Sequence, residues 1–522
     1  MKRLLLLLFV LTLMPAGINA QEQSQITLAI GGEEEEGYDP TLGWGRYGSP
    51  LFQSTLLRRD QDLDIVNDLA TGYSVSDDGL VWTVTIREDA IFTDGEAVTA
   101  EDVAYTFNTA AQSGGLTDVT VLDEAVVVDD FTVELRLSEA QSTFINRLVT
   151  LGIVPEHAHG EDYARNPMGS GPYKFVRWDE GQQLIVEANP DYYGGVPAID
   201  RLVFLFLGED AAFAAARAGQ ANVVAVPQSF AIQDVPGMTL VPVQSVDNRG
   251  ILFPFVPDTG ETTADGHPIG NDVTSDVSIR RAINYALDRQ ALVEGLLEGY
   301  GTPAFGPVSG LPWEQTDAIF DDADIATAES ILAEGGWVDS DNDGIVERDG
   351  LRAEFTLLYP ATDSTRQSLA LAAADMVREI GIQINVDGRS WDDIQQMMHS
   401  SAVVFGWGSH DPTEVYNLHH SSYGGVGFFN TGFYANQQVD EYLDLAMGAP
   451  TQEEANVFWK AAQWDDTTGF TTPGDAAWAW MVNLDHTYFV SDCLDIGNPQ
   501  IEPHGHGWPI TANIASWTST CS

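Results

Sequence analysis

Apolar and polar positions alternate through V-W-T-V-T-I-R from Val81 to Arg87, a period of two that predicts a strand. The period lengthens to that of a helix from Ala100 to Ala111, entered through Thr99, and shortens again at Val133 to Leu137 and Gln183 to Ala188. A strand at Leu202 to Leu207, a helix at Asp210 to Ala218 and a strand at Val223 to Val226 predict a crossover unit with a parallel pair. A second unit follows at Phe355 to Tyr359, Ser364 to Ile380 and Ile382 to Val386. Between them, Ser278 to Leu297 carries Ile279, Ile283, Leu287 and Leu292 at helical spacing and predicts one amphipathic helix, followed by a Gly/Pro-rich loop from Gly299 to Pro312. Strands and helices interleave without repeats, so the class is mixed α/β, and two separated crossover units predict two lobes. The Pro- and Gly-studded stretch between Pro242 and Asn271 is the expected crossing between them.

The start of the chain reads as an export signal. Lys2 and Arg3 precede an apolar stretch from Leu4 to Met14, and Ile18-Asn19-Ala20 offers a small-residue cleavage site, making residues 1–20 a signal peptide. The apolar stretch is shorter than the roughly 20 residues that span a bilayer, and no comparable run follows, so a soluble mature chain is expected. No Cys stands at the cleavage point to receive a lipid, which makes the periplasm the expected compartment. A chain of 522 residues exceeds what one core organises, so two or three domains are expected, and its 44% apolar content excludes disorder.

Charge narrows the partners. The 78 acidic residues face 23 Lys and Arg, a formal net charge of −55 that repels nucleic acid and anionic lipid. The acids are spread along the whole chain, which reads as adaptation to a salty medium rather than as an acidic binding face. Cys493 and Cys521 are the only cysteines, and in an oxidising compartment they are expected to pair and pin the tail.

Candidate chemistry is sparse. No H-E-x-x-H, G-x-S-x-G or G-x-x-x-x-G-K occurs, so an enzyme is not expected and no cofactor is required. Asp339, Asp341 and Asp343, followed by Gly344, the Ile345 carbonyl and Glu347, have the spacing of a calcium loop, with Gly350 where a bidentate acid would stand. His410, His419 and His420 lie close in sequence, and His504 and His506 form H-G-H. Two such groups brought together by the fold would suit nickel, copper or zinc. Tyr38, Trp44, Tyr47, Trp391, Trp407 and Trp480 are candidates for stacking against a ligand.

Several segments together resemble family 5 of the extracellular solute-binding proteins, the peptide, dipeptide and nickel-binding components of ABC importers. They are Asp68 to Asn108, G-S-G-P-Y from Gly169, N-P-D-Y-Y from Asn189, D-V-S-I-R-R-A-I-N-Y-A-L-D-R from Asp276, G-W-G-S-H-D-P from Gly406, and N-Q-Q-V-D from Asn436. They occur in the family's order over most of the chain. The resemblance implies a two-lobe periplasmic binding protein fold with an extra domain in the N-terminal half. On this reading lobe I comprises residues 21–52, 190–265 and 485–522, the extra domain 53–189, and lobe II 266–484. It implies capture of a peptide-sized solute or metal chelate between the lobes, the alternative being a dedicated nickel or nickel-chelate binder and, more remotely, an exported hydrolase. The implied partners are a membrane permease with a separate ATPase, and a monomer is expected. The resemblance also implies a ligand role for the segment around Trp407: in peptide-binding relatives an aspartate there captures an ammonium group. Here the segment is shorter, and Asp411, beside His410, is its only acid.

Overall fold

The computed structural model of the chain describes residues 24–34, 36–48 and 51–521; the expected signal peptide lies outside the described residues. A seven-stranded sheet forms the first lobe. Its strand order is Met238–Val243, His486–Ser491, Val223–Val226, Gln25–Ala29, Arg201–Leu205, Gln183–Ala188 and Tyr173–Asp179. Strand Gln25–Ala29 pairs in parallel with both Arg201–Leu205 and Val223–Val226, so the first crossover unit is real but its two strands flank a third instead of touching. The strands Tyr173–Asp179 and Gln183–Ala188 extend this sheet, which corrects the expected extra-domain boundary at residue 189: those two strands belong to lobe I.

The second lobe is a six-stranded sheet in the order Gly301–Pro303, Trp478–Leu484, Asn248–Leu252, Ala402–Trp407, Glu354–Pro360 and Gln383–Arg389. Here the crossover is direct: Glu354–Pro360 pairs in parallel with Gln383–Arg389 across the helix Ser364–Arg378, as the pattern predicts. Strand Asn248–Leu252 lies in this sheet, so lobe II begins before residue 266 and the crossing is confined to the few residues after Val243. The amphipathic stretch at 278–297 is two helices, Val277–Ala286 and Arg289–Leu296, not one. Leu287 is extended, and the Asp288 side chain accepts from the Ala291 amide, so an N-cap restarts the helix where hydrophobic spacing alone runs on.

Between residues 70 and 137 an antiparallel four-stranded sheet is covered by the helix Ala100–Ser113, with Leu135, Val84, Phe107 and Phe144 fully buried between them. Asp102 accepts from the Thr99 amide at 2.9 Å and fixes the entry to that helix. This is the extra domain. Cys493 and Cys521 are joined in a disulfide beside the short pairing of Leu494–Asp495 with Thr518–Ser519.

The chain passes between the lobes at residues 244–247 and again at Asp485, and a third segment at Glu502 runs alongside the first. Val246 donates to the Glu502 carbonyl and Glu502 to that of Gln244, both at 2.9 Å. Buried charges tie these segments. Asp247, 4% exposed, takes the Arg249 guanidinium, His486 Nε2 at 3.0 Å and His504 Nδ1 at 2.9 Å, while His486 Nδ1 reaches Glu502 at 2.5 Å. Burial opposes a charge on His486, but the bonds to Asp247 and Glu502 outweigh it and raise its pKa to about 9. A raised histidine stabilises the fold fully below its unfolded pKa of about 6.5, and this contribution is lost as pH rises through 9. The melting temperature of the parent should therefore fall more between pH 7 and pH 10 than that of His486→Gln; parallel curves would show that the hinge does not depend on this proton.

Candidate functional site

A cavity of about 1050 Å³ lies between the lobes and is closed on one side by the extra domain. Its walls come from every part of the chain: Tyr47, His504 and His506 from lobe I, Arg59 and Arg147 from the extra domain, Trp391, Trp407 and Asp411 from lobe II. Trp407 stacks on Phe429 with ring centroids 5.0 Å apart, and Trp391 on Phe405 at 5.9 Å, so each indole is braced from behind and offers its remaining surface to the cavity. Tyr47 meets the edges of His504 at 5.8 Å and His506 at 6.2 Å, with the Arg46 guanidinium 4.6 Å above its own ring.

The structure corrects other expectations. Tyr38 and Trp44 are core residues of lobe I, packed edge-on at 4.9 Å, and Trp480 stacks on Trp478 at 4.3 Å beneath the second sheet; none of the three lines the cavity. His419 is fully buried against Phe470, and His420 stacks on Tyr416, both away from the cavity. The histidine group from 410 to 420 therefore contributes one member, His410, to the same cavity as His504 and His506. Among the described residues no three metal-ligating side chains converge there.

Asp411 is already engaged. Arg147 Nη1 donates to its Oδ2 at 2.5 Å and the Thr413 amide to its Oδ1 at 2.9 Å, in a pair that is 8% and 15% exposed. A ligand ammonium would have to displace a guanidinium. The same face of the extra domain holds lobe II through Arg59, whose Nη2 reaches the His410 carbonyl at 2.9 Å, and through Thr143, which receives the Thr413 hydroxyl at 2.9 Å.

Electrostatically the cleft departs from the rest of the molecule. Arg46, Arg58, Arg59, Arg147 and Arg366 line it, five of the chain's 20 arginines. Burial pushes Glu414, on the same wall, up to about 8; the Gly408 backbone opposes this, and Asp247 and Asp411 add to it. Its carboxyl is thus largely neutral at pH 7. His504 and His506 are held below the ordinary imidazole range, first by burial; His504 and the guanidiniums of Arg46 and Arg366 add to the effect on His506. A carboxylate only accepts, so Asp247 places the His504 proton on Nδ1 and leaves the Nε2 lone pair available. Sequence reasoning missed the arginines and Glu414. The scarcity of arginine in so acidic a chain was the available signal, without any indication of which ones converge.

In the acidic loop, donor oxygens of Asp339, Asp341 and Glu347 lie within 4.8 Å of one another. Asp343 is not part of this group: its side chain accepts from the Ile345 amide and pairs with Arg352. Ile345 is buried in the core of lobe II.

Two lobes with a shared ligand cavity across a three-segment hinge, plus a domain that closes one side, define a solute-binding protein of the ABC-importer type. The chain belongs to the bacterial extracellular solute-binding proteins, family 5, whose middle-region model matches residues 64–429. It is 34% identical over 503 residues to Protein XP55 of Streptomyces lividans, spanning 93% of this chain and 88% of that protein. It is 28% identical over 419 residues to the oligopeptide-binding protein AppA of Bacillus subtilis, spanning 75% and 74%. In fold it is similar to NikZ from Campylobacter jejuni in complex with Ni(L-His), with a TM-score of 0.83 and 23% identity over 95% of this chain and 99% of that one. Bacillus subtilis AppA in complex with a nonapeptide gives 0.76 and 22% over 96% and 100%. The protein is the substrate-binding component of an ABC importer. Binding proteins of this family are periplasmic or extracellular and work with an ABC permease and its ATPase.

Removing the Arg147 side chain leaves the Asp411 carboxylate buried without its cation, a loss of about 3–5 kcal/mol from the contact between the extra domain and lobe II. Arg147→Ala is expected to open the ligand-free molecule, giving a larger radius of gyration in solution scattering than the parent. Equal radii would show that this pair does not hold the cleft.

Proposed function

We propose that the solute is a carboxylate-bearing chelate of a divalent transition metal of the nickel type, captured in the periplasm by a monomer and handed on unchanged. The observation that carries this is the imidazole pair on the cavity wall: His504 and His506 have ring centroids 4.7 Å apart, and both are biased to the neutral form that binds metal. Two nitrogens do not complete a coordination sphere, so the chelator supplies the remaining donors. Its carboxylates meet the arginines of the cleft, where a bidentate guanidinium pairing suits them. The likeness in fold to a protein solved with Ni(L-His) supports this reading. A peptide-sized solute is the second reading, favoured by the cavity volume, the stacked Trp391 and Trp407 walls and the resemblance to AppA. The engagement of Asp411 by Arg147 weighs against an amine-anchored peptide.

Calorimetric titration with the nickel–L-histidine complex tests the first reading. The parent should bind, and His506→Ala should weaken binding by at least about tenfold; unchanged affinity in the variant, or binding of unmetallated tripeptide alone, returns the peptide reading to first place. The pH dependence is a second check. Glu414 acquires its charge as pH rises through about 8, so affinity for an anionic chelate should fall between pH 7 and pH 9 in the parent and stay level in Glu414→Gln.

Away from the cleft, we propose that Asp339, Asp341 and Glu347 hold a structural calcium ion, supported by their convergence within 4.8 Å. Millimolar calcium should then raise the melting temperature of the parent and not that of Asp341→Ala; equal shifts would leave the loop as a solvated acidic turn.

A further inference from the structure

On the wall that the extra domain gives to the cleft, the short strands Leu57–Arg59 and Ile65–Asn67 pair as a ribbon, with Arg58 opposite Val66. Side chains alternate across a strand, so Arg58 turns away from the fully buried Leu57 and from Arg59. Arg59 is committed to Asn146 Oδ1 at 2.6 Å and the His410 carbonyl at 2.9 Å. Arg58 instead stands exposed in the cavity and, among the described residues, enters no ion pair.

Asp68 follows the ribbon directly, its amide donating to the Leu56 carbonyl at 3.1 Å, and it too lines the cavity. The Tyr193 hydroxyl donates to its Oδ1 at 2.7 Å. Arg87 lies over the Tyr193 ring at 4.0 Å but is paired with Asp89, so Asp68 receives a phenol and no guanidinium at ion-pair distance. Burial pushes the Asp68 carboxyl up, against the Tyr193 bond and the fields of Arg58 and Arg87. Its negative charge is under-compensated. Tyr192 completes the corner, its ring 4.7 Å from that of Tyr193. Burial, with Asp68 adding and Arg58 opposing, raises the Tyr192 phenol to about 12, so its hydroxyl keeps the proton it can donate.

Arg58 is near enough to Asp68 to act on its charge, yet the two do not pair. Held apart on one wall, they present a positive and a negative pole to the same space. A guest with a single charge would satisfy one pole and be repelled by the other. A guest with both charges on one carbon meets each pole with its complement.

We propose that this corner holds the α-amino-acid head of the solute, its carboxylate on the Arg58 guanidinium and the Tyr192 hydroxyl and its ammonium on Asp68. A planar guanidinium takes a carboxylate through two parallel hydrogen bonds, and the charge-assisted bond to Asp68 fixes the second point. The corner thereby supplies the ammonium acceptor that Asp411, held by Arg147, does not. The cavity of about 1050 Å³ leaves room for the head to end a longer molecule. The assignment rests on the cleft being the solute site and not on the metal, and it applies to a chelator or a peptide-like solute with such an end.

L-Phenylalanine serves as the probe, with hydrocinnamate lacking the ammonium and phenethylamine lacking the carboxylate, in metal-free NMR titration of the intact protein. The parent should bind L-phenylalanine at least roughly tenfold more tightly than either analogue. Arg58→Gln should weaken L-phenylalanine and hydrocinnamate and leave phenethylamine unchanged. Asp68→Asn should weaken L-phenylalanine and phenethylamine and leave hydrocinnamate unchanged or tighter. Circular dichroism and melting check the fold, and Arg58→Gln, at an exposed side chain, carries the test alone if Asp68→Asn does not fold. No L-phenylalanine binding in the parent, analogues that bind as well as L-phenylalanine, or the same relative affinities for the three probes in Arg58→Gln as in the parent overturns the proposal. Titration with nickel–L-histidine separates it from the metal reading: retained nickel–L-histidine binding without L-phenylalanine discrimination removes this corner alone, and the reverse removes the metal alone.

Discussion

The architecture depends on one buried carboxylate. Asp247 sits where the chain leaves lobe I, and its two oxygens gather Arg249, His486 and His504 from three different segments. Its charge is retained well below the usual carboxylate range: burial works against it, and the surrounding cations and ring donors prevail. The same group therefore does two things at once. It holds together the strands about which the lobes move, and it orients an imidazole at the edge of the ligand cavity. Because hinge and ligand wall share a hydrogen-bond acceptor, displacement of the His504 ring is felt where the lobes join, without any relay through the bulk of either lobe.

Against a net charge of −55, the distribution of cations is the second organising fact. Acid-rich surfaces are well solvated, whereas an arginine inside the cleft acts in a medium of lower dielectric, so five of them there matter more than their number suggests. Several are not free: Arg147 and Arg366 each hold a neighbouring aspartate, Asp411 and Asp363. What remains for a solute is Arg46 over Tyr47 and the open Arg58, with a protonated Glu414 removing one negative charge from the wall. The cleft is less hostile to anions than any stretch of sequence would suggest.

Much of the fold is legible from periodicity. The alternation at Val81–Ile86, the crossover through Ser364–Arg378 and the capped helix after Thr99 follow from side-chain spacing and local hydrogen bonding, which are properties of the segment itself. Two features lay beyond that reach. The strands Tyr173–Asp179 and Gln183–Ala188 read correctly as strands, but which sheet they join is decided by long-range pairing with Arg201–Leu205. Aromatic residues behaved the same way: Trp407 and Trp391 line the cleft whereas Trp44 and Trp480 are core, and apart from the family segment around Trp407 nothing in their immediate neighbours distinguishes the two cases. Family motifs located the Asp411 segment, yet its engagement by Arg147 required a residue 264 positions away.

The contact between Arg147 and Asp411 is made by the protein with itself, and this bears on how the importer distinguishes cargo from none. A solute that closed the lobes by supplying the missing charge would make every closed molecule a loaded one. A closing contact made within the protein needs no solute, so strengthening it shifts empty molecules toward the closed shape. Each such molecule occupies a docking site without delivering anything. A stronger ion pair at this contact would raise the share of idle engagements, and a weaker one would lower it.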